Sequence, residues 1–217
     1  APSNFRPMNA KAVYERFCPE GGTIYDFCCV DGKTEFFNGD SWKPIKDYVK
    51  GDSVLQYTEG GKAELVDPIE FIHYKSNAPF YEYNSGALSS CQTGNHDVVY
   101  IDNGKVAKIK QGAIIGKDLV GVPISCVYSG YLMVDQEGID YLVNYVEFSK
   151  DGKYPELTKY NIHSKKLMLD ALMNVGAISE IDKGRGIYSY RGSSENYKNI
   201  LSMINTMGYT ASSMSEH

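Results

Sequence analysis

The pattern of hydrophobic and polar positions divides the chain into a strand-rich part and a part that contains helices. From Cys29 to about residue 123, short apolar runs alternate with turn residues, and each run is too short for an amphipathic helix. The clearest runs are 53–58, 63–66, 80–83 and 97–101. The turn signals are Asn38 and Gly39, the stretch 59–62, and the stretch 102–104, which are typical of successive hairpins. Residues 29 to about 123 are therefore expected to be all β, and residues 1–28 end in a turn followed by a short β-prone run.

After about residue 126 the apolar positions recur at helical spacing. Ile139, Leu142 and Val146 predict a helix that ends near Asp151 and Gly152. Ser164 and Ser194 are candidate caps for two more helices, the last of which is closed by Gly208. Strands are expected at 159–162 and 186–190, so this part is predicted to be α+β.

Composition limits the function classes. The chain has 217 residues with 22 Lys and Arg against 27 Asp and Glu, a net charge of -5, so there is no overall basic field to attract nucleic acid. No apolar run approaches the roughly 20 residues that span a bilayer, and the first residues do not read as a signal peptide. We expect a cytoplasmic protein with no membrane partner. Five cysteines without a Cys-x-x-Cys spacing argue against a disulfide framework or a structural zinc site.

Two motifs carry candidate chemistry. Cys29 is followed by an apolar residue and, five positions later, by Thr34. About sixty residues further, Thr93, Asn95 and His96 form a Thr-x-Asn-His string, and Val98 and Val99 follow after one intervening residue. In this order, spacing and β-rich setting, the two motifs resemble the N-terminal splicing region of an intein, and the resemblance covers residues 29–123.

The resemblance implies a mainly β protein in which the horseshoe-shaped Hint-type fold, incomplete without its C-terminal part, precedes a small α+β region. It implies single-turnover, autocatalytic protein splicing without a cofactor. The thiol of Cys29 would attack the carbonyl carbon of Cys28 and form a thioester. His96 would protonate the leaving amide nitrogen, and Thr93 and Asn95 would supply hydrogen-bond donors. Cys28 remains an alternative nucleophile.

The remaining reactive residue types are expected to have structural roles. A buried cysteine usually acts as a small hydrophobe, so Cys18, Cys91 and Cys126 are assigned to packing. His73 and His163 are assigned to ordinary surface or strand positions.

Residues 1–28 would be an N-terminal extein fragment, part of the host protein. The stretch 24–28 resembles the first strand of S-adenosylmethionine-dependent DNA methyltransferases, without the Gly-rich cofactor loop that follows it in that family. Any other α/β enzyme could also begin with such a strand.

Residues 124–217 resemble part of a LAGLIDADG homing endonuclease. The stretch 144–152 aligns with the signature helix, and Asp151 would be its metal ligand, although Val146 and Glu147 replace the usual small residues. A second possible alignment of the signature helix would place its acidic residue at Gly176 and Ala177, where no acid is present. The region has 9 basic and 11 acidic residues, a net charge of -2, which does not favour DNA binding. We therefore expect a degenerate or halved endonuclease region.

An intein ends in asparagine followed by Cys, Ser or Thr of the C-extein, and the stretch 210–217 lacks such a junction. We expect a split intein whose C-terminal partner supplies that asparagine and nucleophile; truncation of a longer intein is the alternative. Two other functions stay open: a LAGLIDADG-type endonuclease or DNA-binding protein with a vestigial splicing domain, and a noncatalytic interaction module with a buried Cys29.

Overall fold

The computed structural model of the protein describes the main chain of residues 5–8, 14–16, 23–26, 30–58, 60–75, 78–85, 88–103, 105–114 and 120–211, and the side chains of most of these from residue 30 onward. The chain forms two compact units. The first comprises 1–38, 42–55 and 65–124, and the second comprises 39–41, 56–64 and 125–217. The division of the chain into 1–28, 29–123 and 124–217 remains a prediction.

The described elements are given in chain order. Strands of the strand-rich part are β1 Phe5–Met8, β2 Tyr14–Arg16, β3 Thr23–Asp26, β4 Glu35–Phe37, β5 Trp42–Pro44, β6 Val54–Thr58, β7 Lys62–Val66, β8 Ile72–Lys75, β9 Phe80–Ser85, β10 Leu88–Thr93, β11 Asp97–Asp102 and β12 Lys105–Lys110, followed by the short helix α1 Gln111–Ile114 and β13 Val120–Pro123. The elements that follow are α2 Gln136–Phe148, α3 Ile162–Asn174, β14 Ile178–Asp182, β15 Ile187–Tyr190, α4 Ser194–Asn205 and β16 Thr210–Ala211.

Small sheets build the first unit. The largest has the order β1-β13-β11-β12, a second has the order β10-β9-β2, and β3 pairs with β8 and β4 with β5. The expected turn chemistry is confirmed, because Gly39 (φ 101°) and Asn103 (φ 48°) take the left-handed conformation between β4 and β5 and between β11 and β12. Ile114 of α1 and Val122 of β13 are buried in one hydrophobic cluster. The chain is thus strand-rich with small sheets, as the hydrophobic pattern predicts.

The second unit is α+β, as expected. The sheet β14-β15-β16 and the helices α2, α3 and α4 enclose one core, in which Ile139, Leu172, Ile200 and Met203 are fully buried. β15 pairs antiparallel with β14 and parallel with β16. Among the described residues, no helix combines the length and the apolar character that crossing a bilayer requires.

The helix boundaries correct several expectations. Helix α3 is capped by Asn161, whose side chain accepts a hydrogen bond from the Ser164 main chain, so Ser164 lies within the helix and is not its cap. Ser193, one residue before the expected Ser194, caps α4. The expected strand at 159–162 is wrong, because a 3-10 helix ends at Lys159, Tyr160 forms only an isolated bridge with Leu132, and α3 begins at Ile162. Strand β14 was not predicted, since its polar residues hide the alternating pattern.

Asn196 joins α4 to the loop that follows α2. It is 4% exposed, its Oδ1 accepts a hydrogen bond from the Tyr154 main-chain nitrogen at 2.9 Å, and its Nδ2 donates to the Gly152 carbonyl oxygen at 3.0 Å. Gly152 is needed there, because a Cβ would lie 2.4 Å from the Val146 carbonyl oxygen. The buried Asn196 side-chain amide thus supplies hydrogen-bond partners for main-chain groups of the loop that do not pair with each other.

Among the described residues of the second unit, Lys165 is the charged side chain most completely removed from solvent. It is 0% exposed, and its Nζ donates to the Tyr128 carbonyl oxygen at 2.8 Å and to Thr206 Oγ1 at 3.0 Å. The ammonium also lies 5.1 Å from the centre of the Tyr128 ring. Because burial disfavours the charged form, the pKa of Lys165 falls to about 8.

This burial predicts a dependence of stability on pH. Between pH 8 and 10.5 the unfolded chain keeps a proton on Lys165 that the folded chain has lost, so this residue alone raises the free energy of unfolding by up to about 3 kcal/mol as the pH rises. Cys126 and the buried tyrosines act in the opposite direction, because burial raises their pKa values, and all variants share this effect. In urea unfolding, the wild type and the control Lys166→Met, whose side chain is exposed, should therefore gain stability relative to Lys165→Met as the pH rises. A difference that does not change with pH would contradict the assignment.

Replacing the buried amide should destabilise the second unit. Asn196→Ala removes the partner of the buried Tyr154 main-chain N–H and of the part-buried Gly152 carbonyl, which lowers the free energy of unfolding by about 1–3 kcal/mol. The control is Asn144→Ala on the exposed face of α2, where the expected change is within about 0.5 kcal/mol. Chemical denaturation measures both, and equal values for the two variants would refute the structural role.

Candidate active site

The Thr93–His96 motif forms a tight turn between two sheets. β10 ends at Thr93 and β11 begins at Asp97, and the His96 main-chain nitrogen donates to the Thr93 carbonyl oxygen at 3.1 Å. Thr93 is 2% exposed, and its hydroxyl donates to Asn95 Oδ1 at 2.5 Å. The Thr93 hydroxyl proton therefore takes part in a hydrogen bond within the turn, and this bond helps to fix the position of His96.

Helix α1 supports this turn through main-chain hydrogen bonds. The nitrogen of Gln111 donates to the His96 carbonyl oxygen at 2.8 Å, and the nitrogen of Gly112 donates to the Gly94 carbonyl oxygen at 2.9 Å. The two backbones approach so closely that a Cβ at position 112 would lie 3.3 Å from the Gly94 oxygen. Residues far apart in the sequence therefore hold His96 in one place.

A cavity of about 220 Å³ opens beside this turn. His96, Gln92 and Gln111 contribute polar groups to its lining, and Val98 and Val122 contribute apolar surface. A pocket with apolar walls and a few converging polar groups is the usual form of a site that positions a reacting group.

Asp97, which follows His96, gives the cavity an anionic edge. Its carboxylate pairs with Lys110 Nζ at 2.7 Å. This hydrogen bond lowers the pKa of Asp97, and the charges of Lys110, Lys108 and His96 lower it further. Desolvation acts in the opposite direction, but the pKa stays below its usual value. Asp97 is therefore ionised at neutral pH, and a negative charge lies next to the imidazole in the sequence.

The predicted site residues differ in where the structure places them. Thr93, Asn95 and His96 come together in the turn, and His96 lines the cavity, whereas Thr93 and Asn95 are not among the described residues that line it. Cys28 and Cys29 lie outside the described residues.

The described chain resumes close to this cavity, at Val30. This residue forms an antiparallel bridge with Gln92, which lines the cavity. The Asp31 nitrogen donates to the Cys91 carbonyl oxygen at 3.3 Å. The residue that follows Cys29 is thus paired with a residue of the cavity.

Asp151, the predicted metal ligand, is exposed in the turn after α2. Within the described part of the chain, no group of three or more His, Cys, Asp or Glu side chains is arranged to hold a metal ion. The neighbouring acid Glu147 accepts hydrogen bonds from the hydroxyls of Tyr154 at 2.7 Å and Tyr190 at 3.2 Å. Burial, together with Glu147, raises the pKa of both hydroxyls, so they stay protonated and donate to this carboxylate. A metal role for Asp151 remains a prediction.

Of the other cysteines and histidines, those that the structure describes have the environments expected of structural residues. Burial raises the pKa of the Cys126 thiol, which disfavours the reactive thiolate. His73 on β8 and His163 on α3 are exposed. Cys91 packs beside the fully buried Phe80. Cys18 lies outside the described residues.

Two glutamines of the cavity, Gln92 and Gln111, were not identified from the sequence. Glutamine is a common surface residue, and Gln111 directly follows the lysine-rich strand β12, so its type and its neighbours both suggest exposure. No local signal in the sequence distinguishes it, because its burial results from the contact between α1 and the distant turn.

Comparison of the chain with protein-family models, with curated proteins and with solved structures gave no match. The residues of the turn and of the cavity are therefore the basis on which a function can be assigned.

The Thr93–Asn95 bond should contribute to the stability of the first unit. In a double-mutant cycle with Thr93→Val and Asn95→Ala, we expect a coupling of about 1 kcal/mol, because valine preserves the buried volume and removes the hydroxyl that donates to Asn95. Urea unfolding of the four proteins provides the cycle. Additive effects of the two substitutions would show that the bond contributes no net stability.

Proposed function

We propose that this chain carries the N-terminal part of a protein-splicing domain, with Cys29 as nucleophile and His96 as proton donor at the peptide bond between Cys28 and Cys29. The observation that carries the proposal is the bridge between Val30 and Gln92, which joins the residue after Cys29 to a cavity lined by His96. Cys29 is bonded to Val30, and consecutive Cα atoms lie about 3.8 Å apart, so the proposal requires the thiol to reach the cavity from the residue next to this bridge.

The proposed fold is the horseshoe-shaped Hint-type fold of inteins. Support comes from the strand-rich first unit with its several small sheets, and from the order of the two motifs along it. In this proposal residues 1–28 are an N-extein fragment, which in the host would continue as part of a DNA methyltransferase. The region 124–217 is an endonuclease-like appendage.

The proposed first step is an N-to-S acyl shift. The Cys29 sulfur forms a bond to the carbonyl carbon of Cys28, and the bond from that carbon to the Cys29 nitrogen breaks. The leaving nitrogen takes a proton from His96, and the proton released by the thiol restores the imidazole. The hydrogen bonds from the turn and from α1 fix the His96 main chain, which reduces the cost of orienting the imidazole.

Completion of splicing needs groups that the proposed mechanism assigns to a C-terminal intein segment. That segment would supply the closing strands, a terminal asparagine and the Cys, Ser or Thr that begins the C-extein. The acyl group moves to this nucleophile, cyclisation of the asparagine frees the intein, and a shift to the amide joins the exteins. None of these steps requires a metal or a nucleotide.

The test is thiol-induced cleavage followed by intact-mass measurement. The purified full chain is incubated with excess dithiothreitol, which captures a thioester at residue 28, alongside Cys29→Ala and His96→Ala. We expect release of residues 1–28 as a thiol adduct from the wild type. Cys29→Ala should release nothing, since no thioester can form, and His96→Ala should be slowed by roughly 10²–10⁴-fold.

A matched control is His163→Ala, which changes an exposed histidine in the second unit and should cleave at the wild-type rate. Cys28→Ala separates the two candidate nucleophiles, because cleavage persists in this variant if Cys29 attacks. The same series is repeated with a C-terminal intein segment. Absence of cleavage in the wild type under both conditions would refute the splicing function.

A further inference from the structure

Strand β8 pairs with the chain segment that ends two residues before Cys28. This segment is β3, and its antiparallel register with β8 places Asp26 opposite Ile72. In the described part of the chain, β3 and β8 form a two-stranded sheet of their own. The main chain of β8 therefore holds the segment that leads into the proposed junction.

The pairing does not depend on burial of the β8 side chains. All four residues of β8 are exposed, including Ile72 at 40% and Tyr74 at 45%. A sheet that packs one face on a core shows buried and exposed residues in alternation, and β8 shows no alternation. The contact between the strands consequently rests on main-chain hydrogen bonds, which an extended segment of any compatible sequence can form.

Phe71, the residue before β8, anchors this strand to the first unit. The centre of its ring lies 4.6 Å from that of Tyr48, which in turn lies 6.0 Å from that of Phe36. Phe71 and Tyr48 pack against a cluster of the buried side chains Val30, Phe36 and Ile45. Strand β8 therefore begins at a position that a hydrophobic cluster fixes.

The same cluster fixes the chain on the other side of the junction. Val30 belongs to the cluster, is 8% exposed and forms a bridge with Gln92. Four peptide bonds separate Asp26 from Val30, a span of at most about 14 Å. Because both ends of this short stretch are paired with the first unit, less conformational entropy remains to be lost when the peptide bond is oriented for attack.

We propose that β8 is the recognition site for the host segment, defined as residues 23–26, an inference that rests on the proposed splicing function. β8 binds the host segment as an added antiparallel strand through main-chain hydrogen bonds. The substrate class is a host sequence that is extended at these four positions, whatever its side chains. A host sequence with proline at a hydrogen-bonded position is a poor substrate.

The test compares two adjacent proline variants of the full chain, Ile24→Pro and Tyr25→Pro. Alternate residues of an antiparallel strand direct their N–H groups to the partner, and the residues between them direct theirs away. Both variants introduce the same ring, but only one of them removes a hydrogen bond to β8. Dithiothreitol cleavage of that variant should be slower than that of the other by roughly tenfold, as for loss of one hydrogen bond.

The matched control changes the side chains of the host segment and keeps its strand propensity. One variant combines Thr23→Val, Ile24→Thr, Tyr25→Val and Asp26→Thr. Its cleavage rate should stay within roughly twofold of the wild type, since valine and threonine favour strands and the main-chain groups are unchanged. A rate as low as that of the slower proline variant would show that side chains carry the recognition and would overturn the proposal.

Hydrogen exchange of the uncleaved chain gives a readout that does not depend on the reaction. Without dithiothreitol, the β8 amides should exchange at similar rates in the wild type and in the fourfold variant. They should exchange roughly tenfold faster in the slower proline variant than in the other. Thermal unfolding confirms that each variant is folded. If neither proline variant folds, the rate of the fourfold variant decides between main-chain and side-chain recognition.

The possible results separate the two proposals. If the wild type cleaves, His96→Ala is slow and both folded proline variants cleave at the wild-type rate, recognition by β8 is wrong and the splicing function stands. Equal slowing of the two proline variants overturns the hydrogen-bond basis of recognition. If the wild type releases no fragment even with a C-terminal intein segment, the splicing function fails. Faster β8 exchange in one proline variant would then show a pairing that is structural only, and recognition of a host segment would be overturned.

Discussion

The main-chain hydrogen bonds between the Thr93–His96 turn and the start of α1 are the constraint on which the candidate site depends. The His96 and Gly94 carbonyl oxygens accept from the Gln111 and Gly112 nitrogens at 2.8 and 2.9 Å. The same bonds place the His96 imidazole and the Gln111 side chain at one cavity, although strands β11 and β12 lie between these two residues in the sequence. Because main-chain bonds do not depend on side-chain rotamers, the geometry is maintained without the entropy cost of ordering long side chains.

The sequence predicts those parts of the fold that local chemistry determines. The left-handed turns at Gly39 and Asn103 follow from residue types that tolerate a positive φ, and the helices of the second unit follow from apolar spacing. The prediction failed where two local signals competed: Asn161 and Ser164 are both good caps, and the backbone uses the first. The stretch 159–162 looked like a strand, yet the residues that follow it nucleate α3.

The candidate site likewise contains residues that the sequence predicts and residues that it does not. The Thr-x-Asn-His string could be identified because Thr93, Asn95 and His96 act within a single turn, so their spacing is recorded in the sequence. Gln111 could not be identified, because its burial depends on a tertiary contact between α1 and a turn fifteen residues earlier. Local patterns report turns and caps, whereas the partner of a buried polar atom is set by the fold.

The charged side chains at the core of the second unit have polar partners. Lys165 donates to the Tyr128 carbonyl and the Thr206 hydroxyl, and Glu147 accepts from two tyrosine hydroxyls. These hydrogen bonds offset the cost of removing the charged groups from water. Among the described residues, buried polar atoms without a partner occur in both units: Gln92 Oε1 and Gln111 Nε2 in the first, and Ser125 Oγ, Tyr197 OH, Asn205 Oδ1 and Thr210 Oγ1 in the second. An unpaired buried atom therefore does not by itself mark a reactive site, and His96 is distinguished instead by its fixed position in a turn beside the cavity.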